Sequence, residues 1–407
     1  ILQGRGKQSM LEGVKVLSFT HYLQGPSAAQ ALADLGADVV KVEACKGAYE
    51  RGWSGCNTYK EGVSVFFLMA NRNQRGIALD LKSEEGRNII YKLICEQGYE
   101  VILENFRPGV MDKLGLGYET LKAMNPRVIY CSCTGYGSSG PKVKKPGQDL
   151  LIQGMSGLAA LTGPGDHPPM PAGTALVDQH GAILAALGIT AAVYDREKTG
   201  KGHRIEASLL GSALDLQIEP LNYYINGGKL TERTDTGLST RFHQSPYGVY
   251  STKDGCITLS LNPFDKLVKA FSPGALDKFT PRDQMENRIE FDKTVRDEML
   301  KHTTSEWTEI FEELGMWYAP VNEYEDVLKD EQVIYNQSFM TMDHPVAGKV
   351  TVLGHANRYD GAPVALRRLP PDLGEHTVEV LRECGYSDGK IKELAEQGTI
   401  VSSKHEF

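Results

Sequence analysis

Short apolar runs alternate with longer amphipathic stretches through the first half of the chain. Val14–Phe19 is a β-type run, and Gly25-Pro26 then opens a helix over Ser27–Leu35 that stops at Gly36. Val39–Val42 reads as the next strand. Ser83 is placed to cap a helix whose apolar residues Ile89, Ile90, Leu93 and Ile94 recur at helical spacing. Val101–Leu103 and Val128–Cys131 are again short and apolar. A long apolar helix follows Asp178 and runs to about Tyr194; after the turn Lys198–Gly202, Arg204–Ala207 is one more strand. Such alternation predicts an α/β fold built on a mostly parallel sheet with helices on both faces.

The texture then changes. Residues 223–246 are polar and rich in Gly, Thr and Arg, and read as a linker after a large domain over 1–222. Tyr247–Leu261 alternates around Lys253-Asp254-Gly255, a hairpin signal. With the charged helical segments after it, this predicts a smaller α+β domain over 247–330. In the tail, 331–407, Val350–Leu353 is strand-like, Gly374–Cys384 is an amphipathic helix, and Ser387–Glu396 is a shorter one. A tail of this kind is expected to return to the first domain. The nine residues Ile1–Ser9 before Met10 read as an expression remnant outside the fold.

Composition narrows the classes. A length of 407 residues suits roughly two to three domains. The net charge of −8 comes from interspersed acids and bases, with no basic stripe for nucleic acid. No apolar run approaches the ~18 residues of a membrane span, and no secretion signal is visible, so a cytoplasmic protein without membrane or nucleic-acid partners is expected. A polyanionic ligand then needs a local basic patch, since the global field does not attract it. The seven cysteines form no CxxC pair and fit no metal site; they are expected to be reduced and mostly in the core.

The chemistry concentrates in a few loops. The first strand–helix turn, Thr20 to Pro26, lacks GxGxxG, so Glu43 alone does not make a dinucleotide site. Lys198–Gly202 lacks the P-loop spacing. Asn105-Phe106-Arg107-Pro108-Gly109 directly follows a strand, where ligands bind in open parallel sheets. Arg107 suits a phosphate and Phe106 an aromatic base; the alternative is a plain loop starting a helix at Pro108. Lys142, Lys144 and Lys145 form a basic loop. Gln148-Asp149 precedes the apolar stretch Leu150–Leu161, which places Asp149 as an N-cap. Asp178 is the only acid between Pro168 and Gly188. It is either the N-cap of its helix or a desolvated nucleophile with amides such as that of Gly181 as oxyanion donors. No Gly-x-Ser-x-Gly or HExxH supports a serine hydrolase or zinc enzyme.

The stretches LEGVKVLSFT, LADLGADVVKVE, NRNQRGIALDLKSEEGR, ENFRPGVMDKLGLGYETLKAMNPRVIY, GYGSSGP, REKTGKG and LGEHTVEVLRECGYS, in this order, resemble the class III CoA-transferases, the CaiB/BaiF family, from about Leu11 to Ile400. The resemblance implies a Rossmann-like large domain formed by the N- and C-terminal parts, a small central domain, and an interlocked homodimer with its active site between subunits. It implies CoA transfer from an acyl-CoA donor to a free carboxylic acid through covalent intermediates on Asp178, with no metal. It places CoA contacts on Leu79, Lys82, Asn105, Phe106 and Arg107, and substrate positioning on Gln148, Asp149 and Gly181. An arginine common in the family after the second strand is replaced here by Glu43-Ala44-Cys45, with Lys46 as the candidate stand-in. The glycine-run lid of the formyl-CoA branch is absent from GLSTRFHQSPYG, which disfavours oxalate chemistry. Two alternatives stay open: an α-methylacyl-CoA racemase, against which Gln148 speaks because glutamine does not exchange protons as histidine does, and a non-catalytic acyl-CoA binding protein.

Overall fold

The computed structural model describes residues 9–235 and 238–403; most of the stretch Ile1–Ser9, and Gly237 of GLSTRFHQSPYG, lie outside the described residues. The chain forms two compact units. One comprises the chain up to Ile152, Ala175–Ser212 and the chain from Gln332 on; the other comprises Gln153–Thr174 and Ala213–Glu331.

The first unit is built on β1 (Lys15–Phe19), α1 (Gln24–Asp34), β2 (Asp38–Glu43), β3 (Arg75–Leu79), α2 (Glu84–Cys95), β4 (Val101–Glu104), β5 (Ile129–Thr134), α3 (Asp149–Met155, whose last turn belongs to the other unit), α4 (Leu176–Thr199) and β6 (Arg204–Ser208). The strands are parallel, in the order β3-β2-β1-β4-β5-β6. That order reverses between β1 and β4, so the carboxyl ends of these two strands frame a crevice. Two cores cover the sheet. One packs Ile89, Ile90, Leu93 and Ile94 of α2, the residues of the helical-spacing pattern, against Leu17, Val40, Ile77 and Ile102. The other packs Ala28, Ala29 and Leu32 of α1 and Ala182, Ala185 and Ile189 of α4 against Val16, Val39, Val101 and Ile129. The small residues let the two helices approach each other closely. Alpha-4 is long and apolar enough to cross a membrane by length and composition; its buried alanines and Ile189 instead belong to this core.

In the second unit, β7 (Gly248–Ser251), β8 (Cys256–Leu259) and β9 (Tyr318–Pro320) form an antiparallel sheet, β7 and β8 being the hairpin around Lys253-Asp254-Gly255. Its core gathers Tyr250, Ile257, Phe291, Val295, Trp307 and Phe311. Residues 153–174 belong here, and so do the residues from Ala213 on, whereas the expected single division near 222 puts them with the large sheet. Gln153 holds the Ala172 amide and the Thr174 carbonyl, and Arg233 donates to the carbonyls of Pro164 and His167. Part of the expected linker is helical: α5 spans Ile218–Ile225.

The tail forms the hairpin β10 (Phe339–His344) and β11 (Gly348–Leu353), two short helices, Thr377–Glu383 and Asp388–Glu396, and β12 (Ile400–Val401). Beta-12 pairs antiparallel with β3, Ile400 opposite Leu79, and closes that edge of the large sheet. Of the seven thiols only Cys131, Cys133 and Cys384 are buried, fewer than expected, because Cys56 and Cys95 fall on a loop and a helix end facing solvent.

Candidate active site at the switch of the sheet

The crevice between β1 and β4 is closed by paired loops. Asn105 Oδ1 accepts from the His21 amide at 2.8 Å, and Asn105 Nδ2 donates to the His21 carbonyl at 2.7 Å. The His21 ring lies 5.3 Å from that of Phe106. Beneath it, Lys41 of β2 is fully buried; its Nζ donates to the Thr20 carbonyl at 2.9 Å and lies 3.4 Å from Glu50, which in turn sits 3.7 Å from His21 Nδ1. Burial alone would raise the pKa of Glu50; the neighbouring His21 ring and the Lys41 charge overcome this and bring it to about 2. Tyr22 carries φ 62°, a left-handed conformation costly for a residue with a Cβ, so the turn after β1 is held under strain by its surroundings. Neither His21 nor this buried ion pair stands out in the sequence. The only hint is Lys41 inside an otherwise apolar strand.

Glu104 ends β4 at the same crevice. Its Oε2 accepts from the Phe106 amide at 2.9 Å and so shapes the loop that carries Phe106 and Arg107. Burial raises its pKa to about 7, against the opposing hydrogen bonds from Ser132 and Phe106.

Asp178 lies in the first turn of α4 but does not cap it. The helix starts at Leu176, the N-cap residue is Ala175, and Asp178 is the third helical residue. The capping carboxylate comes from Asp149: its Oδ2 accepts from the amides of Val177 at 2.7 Å and Asp178 at 3.0 Å. This removes the cap alternative for Asp178 and moves the expected cap of Asp149 from its own helix to α4. Asp149, buried, is the first residue of α3 and satisfies two first-turn donors of a helix 28 residues away in sequence. The oxyanion expectation also changes. Gly181 is the sixth residue of α4, past the N–H groups that lack intrahelical partners. Val177 and Asp178 already donate to Asp149, and Gln179 to the Ala175 carbonyl. What Gly181 provides is space: a Cβ there would meet Gln24 Nε2 at 2.6 Å. Gln24, the first residue of α1, thereby lies against the face of α4 that carries Asp178 one turn earlier.

Burial, and next the neighbouring Asp149 charge, push the Asp178 carboxyl up to about 7. The Cys133 thiol near the end of β5 is raised by its hydrogen bond with Cys131 and by burial, and among the charges acting on it is that of Asp178. Asp178 therefore stands by the carboxyl edge of the sheet, the edge that bears the crevice.

The other expected contacts spread along that edge. Leu79 ends β3 fully buried in the core, opposite Ile400 of β12, and presents no side chain to a ligand. Lys82 is exposed on the following turn, where its amide donates to Asp80 Oδ1. Beta-3 is three strand spacings from β4, roughly 14 Å, so Lys82 is not brought together with Asn105, Phe106 and the exposed Arg107. Gln148 is exposed beside the buried Asp149. Lys46 is exposed on the turn after β2. Glu43 offers no ribose contact, since its carboxylate is taken by the Ala48 amide and, in two bonds of 2.7 Å, by Arg51. Lys144 and Lys145 face solvent. Among the described residues no group of three or more His, Cys, Asp or Glu side chains is arranged to hold a metal ion.

The CoA-transferase family III model matches residues 11–377. The chain belongs to this family. Succinyl-CoA:glutarate CoA-transferase of Mus musculus is 36% identical over 400 residues, spanning 96% of this chain and 90% of that one. Formyl-CoA:oxalate CoA-transferase of Streptomyces coelicolor is 30% identical, over 96% and 99%. The crystal structure of a CaiB/BaiF family protein from Brucella suis superposes with a TM-score of 0.79 at 32% identity, covering 93% of this chain and 100% of that one. The chain is thus an enzyme of the class III CoA-transferases, whose substrates are CoA thioesters and carboxylic acids.

Proposed function

We propose that this enzyme moves CoA from an acyl-CoA donor to a free carboxylic acid through covalent intermediates on Asp178. The observation that carries the reading is a carboxylate fixed at the start of α4, largely desolvated, with its pKa raised to about 7. A desolvated carboxylate is a stronger nucleophile than a hydrated one. Asp178 attacks the thioester carbonyl of the donor, giving a mixed anhydride and CoA thiolate. The thiolate attacks the aspartyl carbonyl, forms an aspartyl-CoA thioester and releases the donor acid. The acceptor carboxylate attacks that thioester, giving a second mixed anhydride and thiolate again. The thiolate then attacks the acceptor carbonyl, and Asp178 returns as a free carboxylate. The thioester is conserved throughout, so no nucleotide hydrolysis is required. Gln24, lying against the same face of α4, is a candidate donor for the oxyanions, since the first-turn amides are committed elsewhere. Incubation with acyl-CoA and hydroxylamine is expected to convert Asp178 to a hydroxamate, read by peptide mass spectrometry. A tag on another carboxylate, or none, overturns the mechanism.

In this reading the crevice between β1 and β4 takes the adenine end of CoA against Phe106, with Arg107 on the phosphate beside it and Lys82, three strands along the same edge, on a separate phosphate. Glu104 shapes that loop from beneath. In Glu104→Gln we expect the KM for acyl-CoA to rise about tenfold, the equivalent of one charge-assisted hydrogen bond, with kcat nearly unchanged. In the parent enzyme KM should fall as pH rises through about 7, where Glu104 ionises and its bond to the Phe106 amide strengthens. The variant should lack that dependence. Steady-state kinetics between pH 6 and 8.5 check both.

The racemase alternative loses support from the structure. Racemisation needs a proton-exchanging pair, yet Gln148 is exposed and Asp149 Oδ2 is engaged by two backbone amides. For the acids we propose short dicarboxylates, as the name of the 36% identical mouse relative suggests. We also propose a homodimer as the active form. Ile183, Leu187 and Tyr194 leave an apolar stripe along one face of α4, exposed by 57%, 62% and 66%. Sedimentation equilibrium is expected to give twice the chain mass.

A further inference from the structure

A cavity of about 600 Å³ lies wholly within the second unit, at the C-terminal end of α5. Its walls carry the basic groups of Lys229 and Arg241, the imidazole of His243, and the rings of Tyr223 and Phe242. None of these residues takes part in the mechanism above.

The walls are held in place from several sides. Thr231 and Arg241 are tied by three bonds: the Thr231 amide to the Arg241 carbonyl at 2.9 Å, the Thr231 hydroxyl to the same oxygen at 3.0 Å, and Arg241 Nε to the Thr231 carbonyl at 2.6 Å. This fixes the guanidinium by its Nε and leaves the terminal nitrogens as donors. The loop bearing His243 is anchored by Arg288, which donates to the carbonyls of Thr240 and His243 at 2.6 Å each. The rings follow one another in a row: Tyr223 edge-on to Phe242 at 5.7 Å, Phe242 tilted against His243 at 4.5 Å, and His243 stacked on Tyr247 at 4.3 Å. Glu219 lies 3.3 Å from His243 Nε2 and accepts from the Tyr223 hydroxyl at 3.2 Å. The site therefore gathers positive charge in a chain whose net charge is −8. Such a local reversal selects anions that the overall field repels.

We infer that this cavity binds a short dicarboxylate. An anchored arginine, a lysine and an imidazole around one cavity suit a ligand with more than one negative charge. The ring walls give the methylene chain between its carboxylates an apolar bed. The planar fork of Arg241 can take one carboxylate in two parallel bonds. Binding at this site does not depend on the Asp178 chemistry. The choice of a dicarboxylate over other anions rests on the CoA-transferase reading.

Met285 lines the same cavity and offers a local probe. The experiment uses the full chain carrying Asp178→Ala, labelled with ¹³C-methyl methionine and titrated with glutarate in the absence of any CoA thioester. The expected result is a saturable shift of the Met285 methyl resonance, with the dissociation constant raised at least about tenfold by Arg241→Ala. Arg241→Lys, which keeps the charge and lets folding be compared, should fall between the two. Absence of a Met285 shift, or equal affinity in Arg241→Ala, overturns the site. Equal binding of butyrate or inorganic phosphate overturns the dicarboxylate assignment. Because no CoA thioester is present, no transfer takes place, and failure of the aspartyl mechanism leaves this result unchanged.

Discussion

Asp178→Ala is expected to lower CoA transfer by at least about 10⁴-fold, as loss of a covalent nucleophile does, while acyl-CoA binding stays within a fewfold of the parent. Asp178→Asn should be equally inactive and, in addition, more stable than the parent. The sign follows from the raised pKa. The carboxyl goes from an ordinary 3.8 to about 7 on folding, so the folded state holds its proton more tightly than the unfolded chain. The ionised form therefore costs stability: nothing below about pH 4, an increasing amount between 4 and 7, and the full amount above 7. At about 1.36 kcal/mol per unit, the upper bound is about 4 kcal/mol. The neutral amide of similar shape avoids this cost. The gap in melting temperature between Asp178→Asn and the parent should be small at pH 4.5 and should open up to pH 8. A carboxylate that destabilises its own fold is what a reactive site retains and a helix cap does not. Full transferase activity in Asp178→Ala sinks the covalent mechanism. A less stable Asp178→Asn at pH 8 sinks the desolvation that underlies it.

The sheet was legible because its strands are short, apolar and interleaved with amphipathic helices; their order became visible only in the fold. The position of the Asn105–Phe106 loop was legible because these residues follow β4 without a gap, and loops at the ends of parallel strands frame the crevice of such a sheet. What stayed hidden depends on contacts far apart in sequence. Capping rules place an Asp at the helix boundary, and both Asp149 and Asp178 fit them locally. Only the folded chain shows that Asp149 reaches another helix and that Asp178 sits one step inside. Gly181 was singled out for its amide, but its contribution is the absence of a side chain where Gln24 passes. Residues 153–174 look continuous with the large sheet in sequence, and it is the Gln153 and Arg233 hydrogen bonds that tie them to the other unit.

Asp149 tests whether the start of α4 is the working part of the site. Its carboxylate accepts two first-turn amides and its charge helps hold the Asp178 pKa up, after burial. These two effects separate by substitution. Asp149→Ala removes both: the cap loss should lower stability by about 1–2 kcal/mol. The freed turn should misplace Asp178 enough to lower kcat about 10–100-fold. Asp149→Asn keeps an oxygen that can accept the same amides and removes only the charge. It should therefore keep most of the activity at pH 8, and the ionisation seen in kcat/KM should move to lower pH, because Asp178 loses a repelling neighbour. A proton-exchanging Asp149 predicts the opposite, since an amide cannot shuttle a proton and Asp149→Asn would be as inactive as Asp149→Ala at every pH. The pH profile of kcat/KM for the three forms decides between them. An Asp149→Asn enzyme inactive from pH 6 to 9, with its fold intact, would remove Asp149 from the role of helix cap and place it in the chemistry.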